Sequence, residues 1–112
     1  MLIYKIFRAT EWAELTNSGA TRGAPVDIAD GFVHFSTAAQ LHVTLRRHFA
    51  DDRELVLLAV DADSVGDDLR WEPSRGGDLF PHLYRNLTLA DVLWVRQIQE
   101  GTTGPICPEG LE

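Results

Sequence analysis

The chain has 112 residues, 45% of them apolar, and a formal net charge of −7 from 10 Lys and Arg against 17 Asp and Glu. That is one globular domain able to bury a core without a metal or disulfide, and its acidity disfavours general binding to nucleic acid or anionic lipid. The longest apolar run, Leu55 to Val60, falls far short of the roughly 20 residues of a membrane span; the N-terminal apolar stretch is too short for a signal peptide, and the one cysteine, Cys107, suits a reducing compartment, so a cytoplasmic protein is expected.

Leu2 to Phe7 alternates Leu2, Tyr4 and Ile6 against Ile3, Lys5 and Phe7 and predicts a strand. Thr10 is expected to cap a short helix carrying Trp12 and Leu15, stopped at Gly19. Thr21 to Asp30, with Gly, Pro and two Asp and no helical period, is expected as a surface loop. Phe32 to Ser36 predicts a second strand with Phe32, His34 and Ser36 on one face. Thr37 and Gln40 form a capping box ahead of Leu41, Leu45, His48 and Phe49, which predicts the longest helix over Ala38 to Phe49.

Leu55 to Val60 is continuously apolar, as a strand buried on both faces would be. An acidic loop, Asp61 to Asp68, then leads to a short strand, Leu69 to Glu72, ended by Pro73. Leu79 to Tyr84 would bring Phe80, His82 and Tyr84 together, with Pro81 restricting it to an edge strand or loop. Thr88 and Asp91 cap a single turn before the last strand, Val92 to Ile98, and residues 99–112 are expected to be an irregular tail to the single domain of residues 1–98. Ile6, Trp12, Phe35, Leu41, Leu45, Leu57, Val60, Leu83 and Trp94 are the expected core.

Several motifs dissolve on inspection. Asp61 to Glu72 imitates a calcium loop, but Val65 stands where an oxygen ligand is needed. Asn86-Leu87-Thr88 matches a glycosylation acceptor and reads as a turn. His42 and His48 are six apart, about 120° around a helix, so they share no face for zinc, and no metal site is expected. Cys107 has no neighbouring His or Lys to activate it.

Three segments differ in kind. His34 and Ser36 share a strand face otherwise made of Phe; Trp71-Glu72-Pro73 sets an acid beside an aromatic ring; Phe80 to Tyr84 repeats the mixture with His82. A few orienting polar groups among aromatics are what small-ligand pockets use. Each feature also has a structural reading, with the histidines satisfied in a core and Glu72 paired to Arg70 or Arg75.

Ile3-Tyr4-Lys5-Ile6, Asp30-Gly31-Phe32-Val33-His34-Phe35-Ser36-Thr37-Ala38-Ala39-Gln40, Trp71-Glu72-Pro73 and Leu79-Phe80-Pro81-His82-Leu83-Tyr84, in this order, resemble the bacterial family known as domain of unknown function 952. The resemblance runs from the first strand to about Ile98; it departs at Arg85, where many relatives are expected to carry Gly. It implies an α+β fold similar to that of ADP-ribosyltransferases, a single compact domain with a split mixed or antiparallel β-sheet and flanking helices around a cleft that has served for NAD. It implies no established activity. By position Lys5, Ser36 and Glu72 are the counterparts of that superfamily's NAD-gripping residue, ribose-supporting hydroxyl and catalytic Glu, although Lys5 lacks the fork of Arg and the acceptor of His. The alternative use of the same cleft is acid–base chemistry, with His34, Glu72 and His82 as the catalytic groups, Lys5 and Arg75 holding an anionic substrate, and Ser36, Trp71 and Tyr84 lining the ligand. Two imidazoles that near are not both protonated cheaply, so one is expected to stay available as a base. From another class comes a non-catalytic module whose histidines are structural and whose acidic surface or tail meets a protein partner.

Overall fold

The computed structural model describes residues 1–112, the side chain of Arg75 excepted. Ten strands and three α-helices alternate along the chain: β1 (Leu2–Phe7), α1 (Ala9–Ser18), β2 (Ala20–Thr21), α2 (Pro25–Asp30), β3 (Val33–His34), α3 (Ala38–His48), β4 (Val56–Asp61), β5 (Leu69–Pro73), β6 (Leu79–Leu83), β7 (Leu87–Thr88), β8 (Val92–Gln97), β9 (Glu100–Gly101) and β10 (Gly104–Pro105). The architecture is α+β, and every pairing among the described residues is antiparallel.

Two three-stranded sheets carry the fold, one in the order β1-β4-β8 and the other β3-β6-β5. They meet at one isolated bridge, where the backbone N–H of Tyr4 donates to Ser36 O at 2.8 Å and that of Ser36 to Tyr4 O at 2.9 Å. This makes a split sheet. β4 is buried on both faces as its composition predicts: Leu58 and Val60 pack with Ile3, Phe7, Val33 and Leu83, whereas Leu57 and Ala59 pack with Tyr4, Ile6, Leu41 and Leu45. α3 lays Leu41 and Leu45 on the second cluster, and burial of such a side chain stabilises by about 1.5–3 kcal/mol. Of the expected core, only Trp12 and Trp94 are partly exposed.

Where the structure departs from the sequence reading, local chemistry explains it. The expected loop at Thr21 to Asp30 holds β2, paired with β7, and the helix α2. Six residues are too few for a hydrophobic period. The helix is started instead by Pro25 in its first turn and by Asp27, whose Oδ2 accepts the Ala24 N–H at 2.7 Å. Similarly α1 begins after Arg8, whose N–H donates to Glu11 Oε1 at 2.9 Å, so Thr10 is inside the helix and is not its cap.

Pro81 lies in β6, the middle strand of its sheet and not an edge. Its missing N–H would have faced Phe35, which donates to Pro81 O at 2.9 Å and can receive nothing back. The β3 ladder therefore ends at His34, and Ser36 turns to Tyr4, so the predicted strand Phe32 to Ser36 is shorter than its alternation suggested. The acidic stretch after β4 is a run of 3₁₀ turns, and the tail, expected to be irregular, carries the small β9–β10 ladder.

Candidate functional site

The two halves of the sheet part beyond the Tyr4–Ser36 bridge, and a cleft of about 580 Å³ opens there. Lys5 from β1, His34 from β3, Ser36 from the bridge and His82 from β6 all line it, with the start of α2 and the end of α3 along its sides. The β3–β6 register places His34 directly across from His82, and their rings lie 5.2 Å apart, edge to face.

Beneath His34 is a buried carboxylate. Asp27, 1% exposed, accepts from His34 Nδ1 at 2.6 Å, from the His34 backbone N–H at 2.9 Å, and from Lys5 Nζ at 3.0 Å to one oxygen and 2.8 Å to the other. Burial pushes the Asp27 carboxyl up, but the hydrogen bonds from His34 and the charge of Lys5 outweigh it and leave the group at about 2. Burial pushes the Lys5 ammonium below the ordinary lysine range, against the partial restoring pull of Asp27. His34 Nε2 lies 3.0 Å from Asp30 Oδ2. Both ring nitrogens of His34 therefore lie against carboxylate oxygens, Nδ1 on Asp27 and Nε2 on Asp30.

His82 is set differently. It is 5% exposed, its Nδ1 lies 2.8 Å from Glu72 Oε1, and Phe32 stacks on its face with ring centroids 4.2 Å apart. The same Glu72 oxygen accepts from Tyr84 Oη at 2.7 Å. These bonds, that of Tyr84 first and that of His82 second, hold the Glu72 carboxyl below its usual range, and Glu72 in turn pushes the Tyr84 phenol up. An Nδ1–H committed to Glu72 leaves Nε2 as the bare nitrogen, and among the described residues Nε2 has no polar partner.

Of the residues singled out in the sequence, Lys5, His34, Ser36 and His82 thus share the cleft, while Glu72 and Tyr84 stand behind His82 and do not line it. Trp71, opposite Pro81 on β5, is 38% exposed and outside the cleft, contrary to its expected lining role. The Arg75 side chain lies outside the described residues. Ser36 Oγ is 3.0 Å from Thr44 Oγ1. Cys107 packs against the core and burial pushes its thiol up, away from nucleophilic use. The sequence reading missed Asp27 and Asp30, and it placed Phe32 on the face of His34 without giving it a role. The Pro-x-Asp spacing at a helix start was the available signal for Asp27; Phe32 and Asp30 looked like an ordinary turn and strand entry.

An α+β domain with a split antiparallel sheet and paired imidazoles in the parting is the class of protein these observations define. The chain belongs to the family described as "protein of unknown function (DUF952)", which it matches over residues 6–95. It is similar to protein CC0527 from Caulobacter crescentus: the crystal structure of that protein is 43% identical with a TM-score of 0.91, covering 95% of this chain and 94% of that one. Its solution structure is likewise 43% identical, with a TM-score of 0.82 over 93% and 90% of the two chains. No curated protein matches the chain. None of its helices is long and apolar enough to cross a membrane.

Proposed function

We propose that this protein binds a small anionic molecule in the cleft and moves a proton on it, with His82 as the base and His34 as a fixed positive group. The observation that carries this reading is the cross-strand placement of the two imidazoles, each on its own carboxylate. A carboxylate on each ring lowers the cost of setting two such groups side by side, and it also orients them. Because His34 is held between two acids and His82 by one, the rings divide into a charged member and a member with a free nitrogen. Lys5 directs both of its polar contacts to Asp27, which leaves a third N–H for a ligand oxygen.

A split sheet with a cleft at its parting also suits the resemblance to ADP-ribosyltransferases, and NAD is the nucleotide to test on that ground. Acid–base chemistry is preferred because Glu72, the counterpart of the catalytic Glu, lies outside the cleft on His82 and Tyr84, and the Ser36 hydroxyl is engaged on Thr44. A cytoplasmic setting, with its single thiol kept reduced, belongs to the same reading.

Ligand titration followed by NMR tests it, using NAD, ADP-ribose, inorganic phosphate and simple carboxylates at millimolar concentration. Perturbations concentrated at Lys5, His34, Ser36 and His82 are expected. If none of these ligands moves them, the cleft reading gives way to the interaction module with structural histidines.

A further inference from the structure

The sequence contains one lysine, against nine arginines. That lysine is buried, 6% exposed, and it is one of the residues that line the cleft, with its ammonium on Asp27. A compact point charge fits such a place where a guanidinium fork would not. Asp27 anchors the ammonium through two of its N–H groups, which makes it a hydrogen-bond donor of fixed position. His82 lines the same cleft, with its Nδ1 tied to Glu72 and its face covered by Phe32, so Nε2 is the ring nitrogen left for a ligand.

Groups that could attack a substrate covalently are otherwise committed: Ser36 Oγ contacts Thr44, and Cys107 packs against the core. Phe35 and Phe80 add apolar wall, in which a fixed ammonium acts more strongly on a developing negative charge than it would in water.

We propose, resting on the acid–base reading above, that the cleft enolises a small carbonyl compound: the Lys5 ammonium holds the carbonyl oxygen while His82 Nε2 removes a proton from the adjacent carbon. The C–H electron pair becomes the new carbon–carbon double bond, the carbonyl π pair moves onto oxygen, and the resulting enolate is held by the Lys5 N–H. The proton rests on His82, whose imidazolium is stabilised by Glu72, and returns to carbon or exchanges with solvent. No oxidant, reductant or second substrate enters. His34, clamped by Asp27 and Asp30 through its two ring nitrogens, takes no part in the proton transfer.

Because there is one lysine, protein labelled with ¹³C at lysine Cε reports on Lys5 through a single resonance. Pyruvate, an anionic ketone, and dihydroxyacetone, a neutral one, serve as probes in D₂O, with loss of their α-protons followed by ¹H NMR. The wild-type protein is expected to speed exchange of at least one probe about a hundredfold or more over buffer, in the range a positioned general base supplies, and that probe should shift the Lys5 resonance. H82Q, checked for an intact amide spectrum, should lose most of this acceleration; E72Q, altered outside the cleft, should retain its fold and slow exchange by a smaller factor. Exchange at the buffer rate with both probes, or full acceleration in folded H82Q, overturns the proposal. Should the probes move Lys5, His34 and His82 without exchange, enolisation falls and the binding site stands. If neither they nor the nucleotides and anions tried above move these residues, both readings fall.

Discussion

His34 and His82 face each other as a cross-strand pair, yet each is gripped from behind by an acid from a different part of the chain: Asp27 on α2 for the first, Glu72 on β5 for the second. The two unequal environments on adjacent imidazoles are what the proposed acid–base chemistry rests on. They also tie the integrity of the cleft to a small number of buried ionic contacts.

The Asp27 contact gives the protein an acid-sensitive component of stability. In the unfolded chain this carboxyl titrates at about 3.9, and in the fold it is held at about 2. A depressed folded value means that the stabilisation is present above about pH 4 and is lost as pH falls from about 4 through 2. The shift corresponds to roughly 2 kcal/mol. Urea unfolding of the wild type between pH 5 and pH 2 should show this decline. D27N removes the carboxylate but not the buried Lys5 charge, and is expected to cost on the order of 3 kcal/mol or more at neutral pH. A D27N protein as stable as wild type would mean that the Lys5–Asp27–His34 network is not holding the cleft.

Gly23 makes room for that network. Its φ of +101° lies in the region glycine favours, and a Cβ there would stand 2.3 Å from Asp27 Oδ2. G23A should therefore cost more than backbone strain alone, at least about 2 kcal/mol, and should displace the His34 resonances. G19A is the control. Gly19 has φ +81° at the end of α1, and a Cβ there would meet nothing within 4 Å, so only the strain of about 1–2 kcal/mol applies and His34 should be undisturbed. Equal effects of the two changes on stability and on His34 would separate Gly23 from the site.

Much of the fold is legible in the sequence because its main elements carry their own periodicity. β1 alternates two apolar sets and does bury both; β4 is apolar throughout and lies in the middle of its sheet; α3 announces itself by the Thr37–Gln40 cap and by Leu41 and Leu45. The site was half legible. His34 and His82 stand out as polar residues in apolar strands, but Asp27 is hidden in a stretch of Gly, Pro and Asp whose helix is shorter than two full turns. Its role follows from tertiary contact with Lys5 and His34, 22 and 7 residues away, which no local pattern encodes. Pro81 departs from the expected edge for a related reason: a proline can occupy a central strand when its missing N–H falls where the neighbouring ladder ends.

Glu72 and Tyr84 should titrate as reciprocal partners. Tyr84 is the first cause of the lowered Glu72 carboxyl, so Y84F should let Glu72 rise toward the ordinary glutamate range, as followed by its ¹³C carboxyl resonance. Conversely, Glu72 is the first cause of the raised Tyr84 phenol, and E72Q should bring it down toward 10. The chain has two tyrosines, and Tyr4, raised by burial, supplies an internal reference in the ultraviolet titration that E72Q should not move. Unchanged values for both partners would show that the 2.7 Å contact is not formed in solution.

The ring nitrogens themselves decide the division of labour between the two imidazoles. His34 has a carboxylate oxygen at each nitrogen, 2.6 Å from Nδ1 and 3.0 Å from Nε2, and its proposed role as the fixed positive group requires long-range ¹H–¹⁵N spectra to show both nitrogens carrying a proton. His82 has one carboxylate, at Nδ1, and should show a protonated Nδ1 beside a bare Nε2, the tautomer a base facing the cleft requires. E72Q sharpens the test, because an amide can present either oxygen or NH₂ to Nδ1 and so no longer dictates the tautomer; a mixture of the two His82 forms is expected there, with His34 unaltered. A bare nitrogen on His34, or a wild-type His82 protonated on Nε2 alone, would overturn the assignment of His82 as the base.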